Sequence, residues 1–476
     1  MPSPEFDLVV IGGGSGGLVV AAGGATLGAK VALIEKHKMG GDCLWYGCVP
    51  SKTLIKSARI AYQMRNADRW SIPPAQPNVE LAAVMERVAG VIRSIEPNDS
   101  PERFRGLGVD VIHGAGRFVG RDTVEVNGRR LTARNFVIAT GSRPAVPPIP
   151  SLHVVRYLTN ETVFELRENV PRLLVIGGGP IGCELAQAFR RLGSEVDVVD
   201  IAPAILPKED ADAAAVVFAQ MQGEGIRFHL GMSIAGVSEG GGEVRMTIKA
   251  NDGREQVLQG THLLLAAGRK ANIEDLGLDA ARVQVDHGRI VVDGNLRTSN
   301  PNVYVAGDVA GGYQFTHVAE HHAGIVLRQA IFKLKWAKPS SVVPWCTYTD
   351  PELARVGVSE TEAKQQGIAH HVYRFPFEEI DRARAEGETA GFAKLITDGK
   401  GKLLGATIVG PHAGELIAEC VLAIGKGMRA ADLSAAIHVY PTLASIARRA
   451  ADQRQKEALT PASKAWIKRI FRLRGA

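Results

Sequence analysis

One pattern occurs twice in this chain and confines its fold. FDLVVIGGGSGG sets an apolar run ahead of Gly12, Gly14 and Gly17 at GxGxxG spacing. LVVAAGGATLG can continue as a helix, and KVALIEK is a second apolar run closing on Glu35. RLLVIGGGPIGCELAQAFRRLGSEVDVVD repeats the order, with Gly177, Gly179 and Gly182, a helical stretch, and an apolar run ending in Asp200. A strand–turn–helix of this kind brings backbone N–H groups and a helix N-terminus to a pyrophosphate, and the acid ending the second strand accepts from a ribose hydroxyl. A lone GxGxxG is a common turn; the strand, helix and acid in agreement make each unit a dinucleotide fold. The expected class is α/β, with two Rossmann-type units.

Two dinucleotide folds suggest two dinucleotides, and hydride passes naturally between a flavin and a nicotinamide. At the second unit, Asp200 suits an adenosine 2′-hydroxyl and repels a 2′-phosphate. No arginine or lysine follows it until Lys208, which favours NADH over NADPH. A phosphate ligand from another loop would keep NADPH open.

The chain has 476 residues, enough for two to four domains, and 45% of them are apolar. No run of eighteen apolar residues occurs, so no helix is expected to cross a membrane. The N-terminal apolar run enters a glycine motif without a basic segment before it, which reads as a cytoplasmic chain. The formal charge is +6, but Lys464, Lys468, Arg469, Arg472 and Arg474 carry nearly all of the excess. The body is close to neutral, and nucleic acid is not an expected partner.

Residues 40–52 read GGDCLWYGCVPSK. In a regular helix, positions five apart lie about 140° around the axis and about 7.5 Å along it. A disulfide needs Cα atoms within about 6.8 Å. Cys43 and Cys48 can therefore bridge only where the chain is distorted, which Gly47 eases. Pro50 suits a helix first turn, putting Cys48 near a helix N-terminus that stabilises a thiolate. A zinc site lacks its further ligands, and five cysteines in all are too few for a disulfide scaffold, so a redox-active pair is the reading that remains.

With these motifs, and with ATGSRP, AAGRKANIEDLGL, TSNPNVYVAGDV and TYTDPELARVGVSE, the chain resembles the pyridine nucleotide–disulfide oxidoreductases to about residue 455. That family includes glutathione reductase, dihydrolipoamide dehydrogenase and mercuric reductase. The resemblance implies FAD at the first unit and NAD(P)H at the second. It implies Cys48 as the thiolate facing the flavin, Cys43 as the thiol that exchanges with the acceptor, and Lys52 with Glu184 as an ion pair near the flavin. Gly41, Thr140, Gly141, Gly268 and Asp308 fall to cofactor contacts, Asp308 holding the flavin's ribityl chain, and no residue falls to a resident metal. It also implies a homodimer in which the partner completes each site, with Tyr440 of one subunit acting at Cys43 of the other.

The resemblance fails in one place. Relatives that reduce disulfides carry HxHPT followed by a glutamate, whose second histidine moves the thiol proton. Here IHVYPTLAS puts Tyr440 at that histidine and Ser445 at the glutamate, with His438 matching only the first histidine. Mercuric reductases carry a tyrosine at this position too, but also a C-terminal cysteine pair, and here no cysteine follows Cys420. The expected activity is NAD(P)H-dependent reduction of a disulfide or soft metal ion. An NADH:quinone-type electron carrier at a membrane surface and a dihydrolipoamide dehydrogenase are the alternatives.

The motifs divide the chain into a flavin-binding part (1–150 and 271–340) and a nicotinamide-binding part (151–270), and the resemblance makes residues 341–460 a smaller C-terminal α+β interface part, followed by a tail (461–476). In the tail, Trp466, Ile470 and Leu473 fall on one helical face among the basic residues. Such a segment packs on its own dimer, stays disordered, or lies on an anionic membrane.

Overall fold

The structure, a computed structural model, describes residues 3–334 and 336–475; positions 1–2, 335 and 476, inside the expected flavin-binding part and tail, lie outside it. Both glycine units fold as strand, turn, helix and strand. β1 (Phe6–Ile11), α1 (Ser15–Thr26) and β2 (Val31–Glu35) form the first. β1 lies between β2 and the strand Arg129–Ile138, which also pairs with Val303–Val305; Asp110–His113 flanks β2. All of these pairings are parallel, and the apolar β1 and β2 are buried on both faces, as parallel strands require. The second unit builds a parallel sheet in the order Arg227–Leu230, Glu195–Asp200, Arg172–Ile176, His262–Leu265, with the helix Pro180–Arg191 after its glycine turn.

The third part is a five-stranded antiparallel sheet in the order Pro344–Thr347, Glu352–Gly357, Leu403–Gly410, Phe392–Thr397, His371–Pro376. The helices Ala413–Gly425 and Ser445–Ala458 pack on it through Ile417, Cys420, Ile446 and Ala450. A buried ion cluster ties this sheet to the second unit. Lys394, 1% exposed, reaches Asp210 at 3.2 Å, Asp212 at 2.7 Å and Glu360 at 3.1 Å.

Among the described residues, no helix is long and apolar enough to cross a membrane. The tail forms a helix over Pro461–Ile470 only. Leu473 therefore does not continue the helical face with Trp466 and Ile470, because the chain leaves the helix at Phe471 and Arg472 takes a left-handed φ of 51°.

Candidate active site

Each glycine motif uses its residues the same way. A Cβ on Gly17 would stand 1.8 Å from the Gly12 carbonyl oxygen, and one on Gly182 would stand 1.9 Å from that of Gly177. The first and third glycines thus let helix and turn close on each other. The middle ones face outward: a Cβ on Gly179 would meet nothing within 4 Å, and one on Gly14 only the Gly41 Cα at 3.8 Å. Neither helix has a side-chain cap, so its first N–H groups remain for an anion.

The acids brace these turns. Glu35 accepts from the Gly13 N–H at 2.6 Å and the His37 N–H at 2.7 Å. Asp200 accepts from Gly178 at 2.6 Å and Ala202 at 2.8 Å. Each carboxylate oxygen keeps a further lone pair for a ribose hydroxyl. Beside Asp200 the exposed side chain is Ile201, not a cation. Both cradles fit a dinucleotide pyrophosphate and its ribose.

The cysteine segment is two helices broken at one point. α2 (Gly41–Trp45) ends at Tyr46, and α3 (Cys48–Arg65) starts after Gly47 at φ −120°, ψ −113°. A Cβ on Gly47 would lie 2.9 Å from the Asp42 carbonyl oxygen, so the break needs glycine. Asn160, 7% exposed, pins the bend from the other side, donating to the Asp42 carboxylate at 3.0 Å and the Tyr46 carbonyl at 3.2 Å. The distortion brings both free thiols together, with Cys48 in the first turn of α3.

The two thiols differ in acidity. The hydrogen bond from Cys43 is the strongest influence on Cys48; burial opposes it, and Thr316 and Lys52 reinforce it. The Cys48 thiol is pushed down to about 6. Cys43 moves the other way, because its proton is held against Cys48 and burial disfavours its charge. Thr316 Oγ1 lies 3.5 Å from Cys48 Sγ, at the start of the helix Thr316–Ala330.

Lys52, one turn along α3, pairs with Glu184 at 2.8 Å. Burial by itself would lower its pKa, but the Glu184 carboxylate outweighs burial and holds the lysine above its usual value. Glu184 is 6% exposed and also accepts from the Tyr348 N–H at 2.8 Å, while the Tyr348 ring packs 4.4 Å from Lys52 Nζ. Asp308 accepts from the Ser142 hydroxyl at 2.5 Å, with Arg269 bonded to the same hydroxyl at 2.7 Å and to Asp42 at 3.2 Å. Thr140 donates its hydroxyl to the Asn272 carbonyl at 2.6 Å, which braces the loop carrying Gly141. Cβ atoms on Gly141 and Gly268 would meet nothing within 4 Å. Ser142, Arg269, Thr316, Tyr348 and Asn160 were not singled out from sequence. Ser142, Arg269 and Tyr348 lie inside the motifs ATGSRP, AAGRKANIEDLGL and TYTDPELARVGVSE, and Thr316 stands eight positions after Asp308, but Asn160 lies in no recognised motif.

The C-terminal candidates stand apart from this cluster. Tyr440 is 74% exposed and donates to Asp381 at 3.1 Å, a bond that raises its pKa further. Ser445 donates to the Thr442 carbonyl at 2.8 Å. His438 meets the Ala436 carbonyl at 3.1 Å with Nδ1 and the Glu419 carboxylate at 3.0 Å with Nε2, so neither ring nitrogen is open to a substrate proton. His321 accepts from the Ser340 N–H at 2.9 Å, and burial pushes His322 down to about 4. Cys183 and Cys420 are buried, with burial holding their thiols neutral. Cys346 is partly buried.

Residues 6–323 match the family description pyridine nucleotide-disulphide oxidoreductase, and residues 343–451 match the dimerisation domain of the same family. The chain belongs to the pyridine nucleotide–disulphide oxidoreductases and is an oxidoreductase of that class, a family of flavoproteins using FAD and NAD(P)H. Dihydrolipoyl dehydrogenase of Chlamydia muridarum is 39% identical over 448 residues, 93% of this chain and 95% of that one. Mercuric reductase of Bacillus cereus is 35% identical over 442 residues, 92% of this chain and 70% of that one. The fold superposes with a TM-score of 0.83 on a Cu(II) complex of the HOCl-induced flavoprotein disulfide reductase RclA from Escherichia coli, 27% identical, covering 92% of this chain and 98% of that one.

Proposed function

We propose that the protein passes an electron pair from NADH through Cys43 and Cys48 to a soft metal ion or a disulfide, as a cytoplasmic homodimer. The observation that carries this reading is the pairing of two free thiols, Cys43 and Cys48, across the break between α2 and α3, with Thr316 Oγ1 3.5 Å from Cys48 Sγ and the Cys48 thiol depressed to about 6. FAD, when bound, supplies the two-electron link between a nicotinamide and a thiol pair. The glycine turn of residues 12–17, Glu35 and Asp308 would hold it, and the turn of residues 177–182 with Asp200 would hold the nicotinamide nucleotide. In this division, residues 1–150 and 271–340 bind the flavin, 151–270 the NADH, and 341–460 the partner subunit. The exposed apolar Ile437, Val439 and Leu422 support that last role.

Two electrons and one proton open the Cys43–Cys48 bond to a Cys43 thiol and a Cys48 thiolate, and Lys52 offsets the negative charge left on Cys48. With a disulfide acceptor, the Cys43 thiolate attacks one sulfur and releases the other as a thiolate. Cys48 then attacks the Cys43 sulfur, re-forming the intramolecular bond and releasing the second thiol. The Cys43 proton must leave first, and Cys48 and the Thr316 hydroxyl face it, with no histidine among the groups acting on it. With a divalent soft metal ion such as Hg(II), both sulfurs bind the ion as thiolates, the Cys43 proton goes to solvent, and the ion takes two electrons as the pair closes; Cu(II) takes one, so two ions are reduced for each closure. That route needs no histidine, which favours the metal ion over a disulfide given the engaged His438 and the phenol at Tyr440. The RclA complex with Cu(II) supports the same preference.

Steady-state assays with lipoamide, glutathione disulfide, Cu(II), Hg(II) and a soluble quinone test the reading. The expected result is turnover with a soft metal ion at least about tenfold above lipoamide, and about tenfold faster with NADH than with NADPH because Asp200 repels the 2′-phosphate. Quinone as the sole acceptor, or NADPH preferred, would contradict it.

A further inference from the structure

We propose that the C-terminal segment 461–474 is an anchor for anionic lipid, holding the enzyme at a membrane surface. The segment lies beyond residue 451, where the match to the dimerisation domain ends. After Glu457 the chain holds no acidic residue, but it holds Lys464, Lys468, Arg469, Arg472 and Arg474. It is nevertheless a formed helix, not a loose basic tail. Pro461 opens it, and the Thr460 hydroxyl caps it by accepting from the Ser463 N–H at 3.1 Å.

No residue of this helix is buried. Trp466 is 64% exposed, Ile470 49%, and Phe471, just after the helix, 67%. At about 100° per residue, Trp466, Ile467 and Ile470 share an arc about 100° wide, and Lys464, Lys468 and Arg469 take the opposite side. An occupant of this surface must therefore offer negative charge and an apolar layer together. The same segment of a second copy carries the same cations and would repel this one, and the near-neutral body offers no excess of negative charge. A nucleic acid would pair with the cations but leave the Trp466–Ile470 row in water. The headgroup–acyl boundary of an anionic bilayer meets both demands. The inference is independent of which acceptor the cysteines serve.

Vesicle flotation of the flavin-loaded full chain tests it, using phosphatidylcholine alone and phosphatidylcholine mixed with phosphatidylglycerol. Each cation near an anionic surface adds about fivefold in affinity, so at least about tenfold tighter binding to the mixed vesicles is expected, weakening with salt. A chain ending at Thr460, which loses no buried residue, should lose this binding while keeping its NADH-dependent turnover in solution. The triple variant Trp466→Ala, Ile470→Ala, Phe471→Ala should bind about tenfold or more weakly. Failure of the full chain to float would overturn the anchor. So would undiminished binding by either altered chain, or displacement of the vesicles by an equal charge of oligonucleotide.

Discussion

Replacing Cys48 by serine is expected to lower reduction of any soft metal ion or disulfide by about a thousandfold or more, an added barrier of about 4 kcal/mol. A serine hydroxyl cannot close a bond to Cys43, so the pair loses its two-electron capacity. Direct flavin oxidants, such as artificial dyes, should still turn over with NADH, since the site built on Gly177, Gly179 and Asp200 is untouched. Cys43→Ser differs in kind. It removes the hydrogen bond that most depresses the Cys48 thiol, so the acidity of Cys48 should move up from about 6 towards the ordinary thiol range. Parallel turnover with a metal acceptor and with a dye checks the first expectation. Equal loss of both activities would mean that Cys48 supports the flavin site as a whole, not the relay.

The second large effect is on stability. Lys394 sits almost fully buried in Phe392–Thr397, and its ammonium is shared by Asp210, Asp212 and Glu360. Burial disfavours the Asp210 carboxylate, but the N–H and hydroxyl of Thr361 and the Lys394 charge outweigh it and push its pKa down to about 2. Lys394→Met leaves that carboxylate desolvated without its cation, and breaking a buried pair this way costs about 3–5 kcal/mol. Because Asp210 begins the helix Ala211–Gly223, the loss should first loosen the nicotinamide unit from the antiparallel sheet. The sign with pH follows from the depressed carboxyl: its stabilisation is present above the usual carboxylate range and is lost as pH falls through about 2. Urea unfolding of both proteins at neutral pH measures the difference. A variant within about 0.5 kcal/mol of the parent would mean that the cluster holds nothing together.

These two sites differ in how far the sequence exposed them. The strand–glycine–helix units were readable because their parts are local: Gly12 to Glu35 and Gly177 to Asp200 each lie within one short run. The break between the cysteines was readable from Gly47 and the spacing alone. The residues that tune the pair were not, because Asn160, Arg269, Thr316 and Tyr348 reach it from distant segments. Lys394 carried no signal either. A lone lysine in FAKLIT reads as the solvent side of a strand, and only its distant carboxylates explain its burial. His438 left the reverse lesson, since the residue matching a family histidine proved to be held by Glu419 from the helix Ala413–Gly425. The tail periodicity ran past the helix itself, because nothing local in IFRLRGA marks the turn at Arg472.

The central claim is that the Cys43–Cys48 pair exchanges electrons with the flavin. Anaerobic titration of the purified flavoprotein with NADH, followed by visible absorption, tests it most directly. Uptake of about four electrons per subunit is expected, two by the flavin and two by the cysteines. A long-wavelength band from the Cys48 thiolate against the flavin should accompany the first two and grow as pH rises through about 6. Uptake of only about two electrons without that band would show the cysteines inert to the flavin, and would contradict the account.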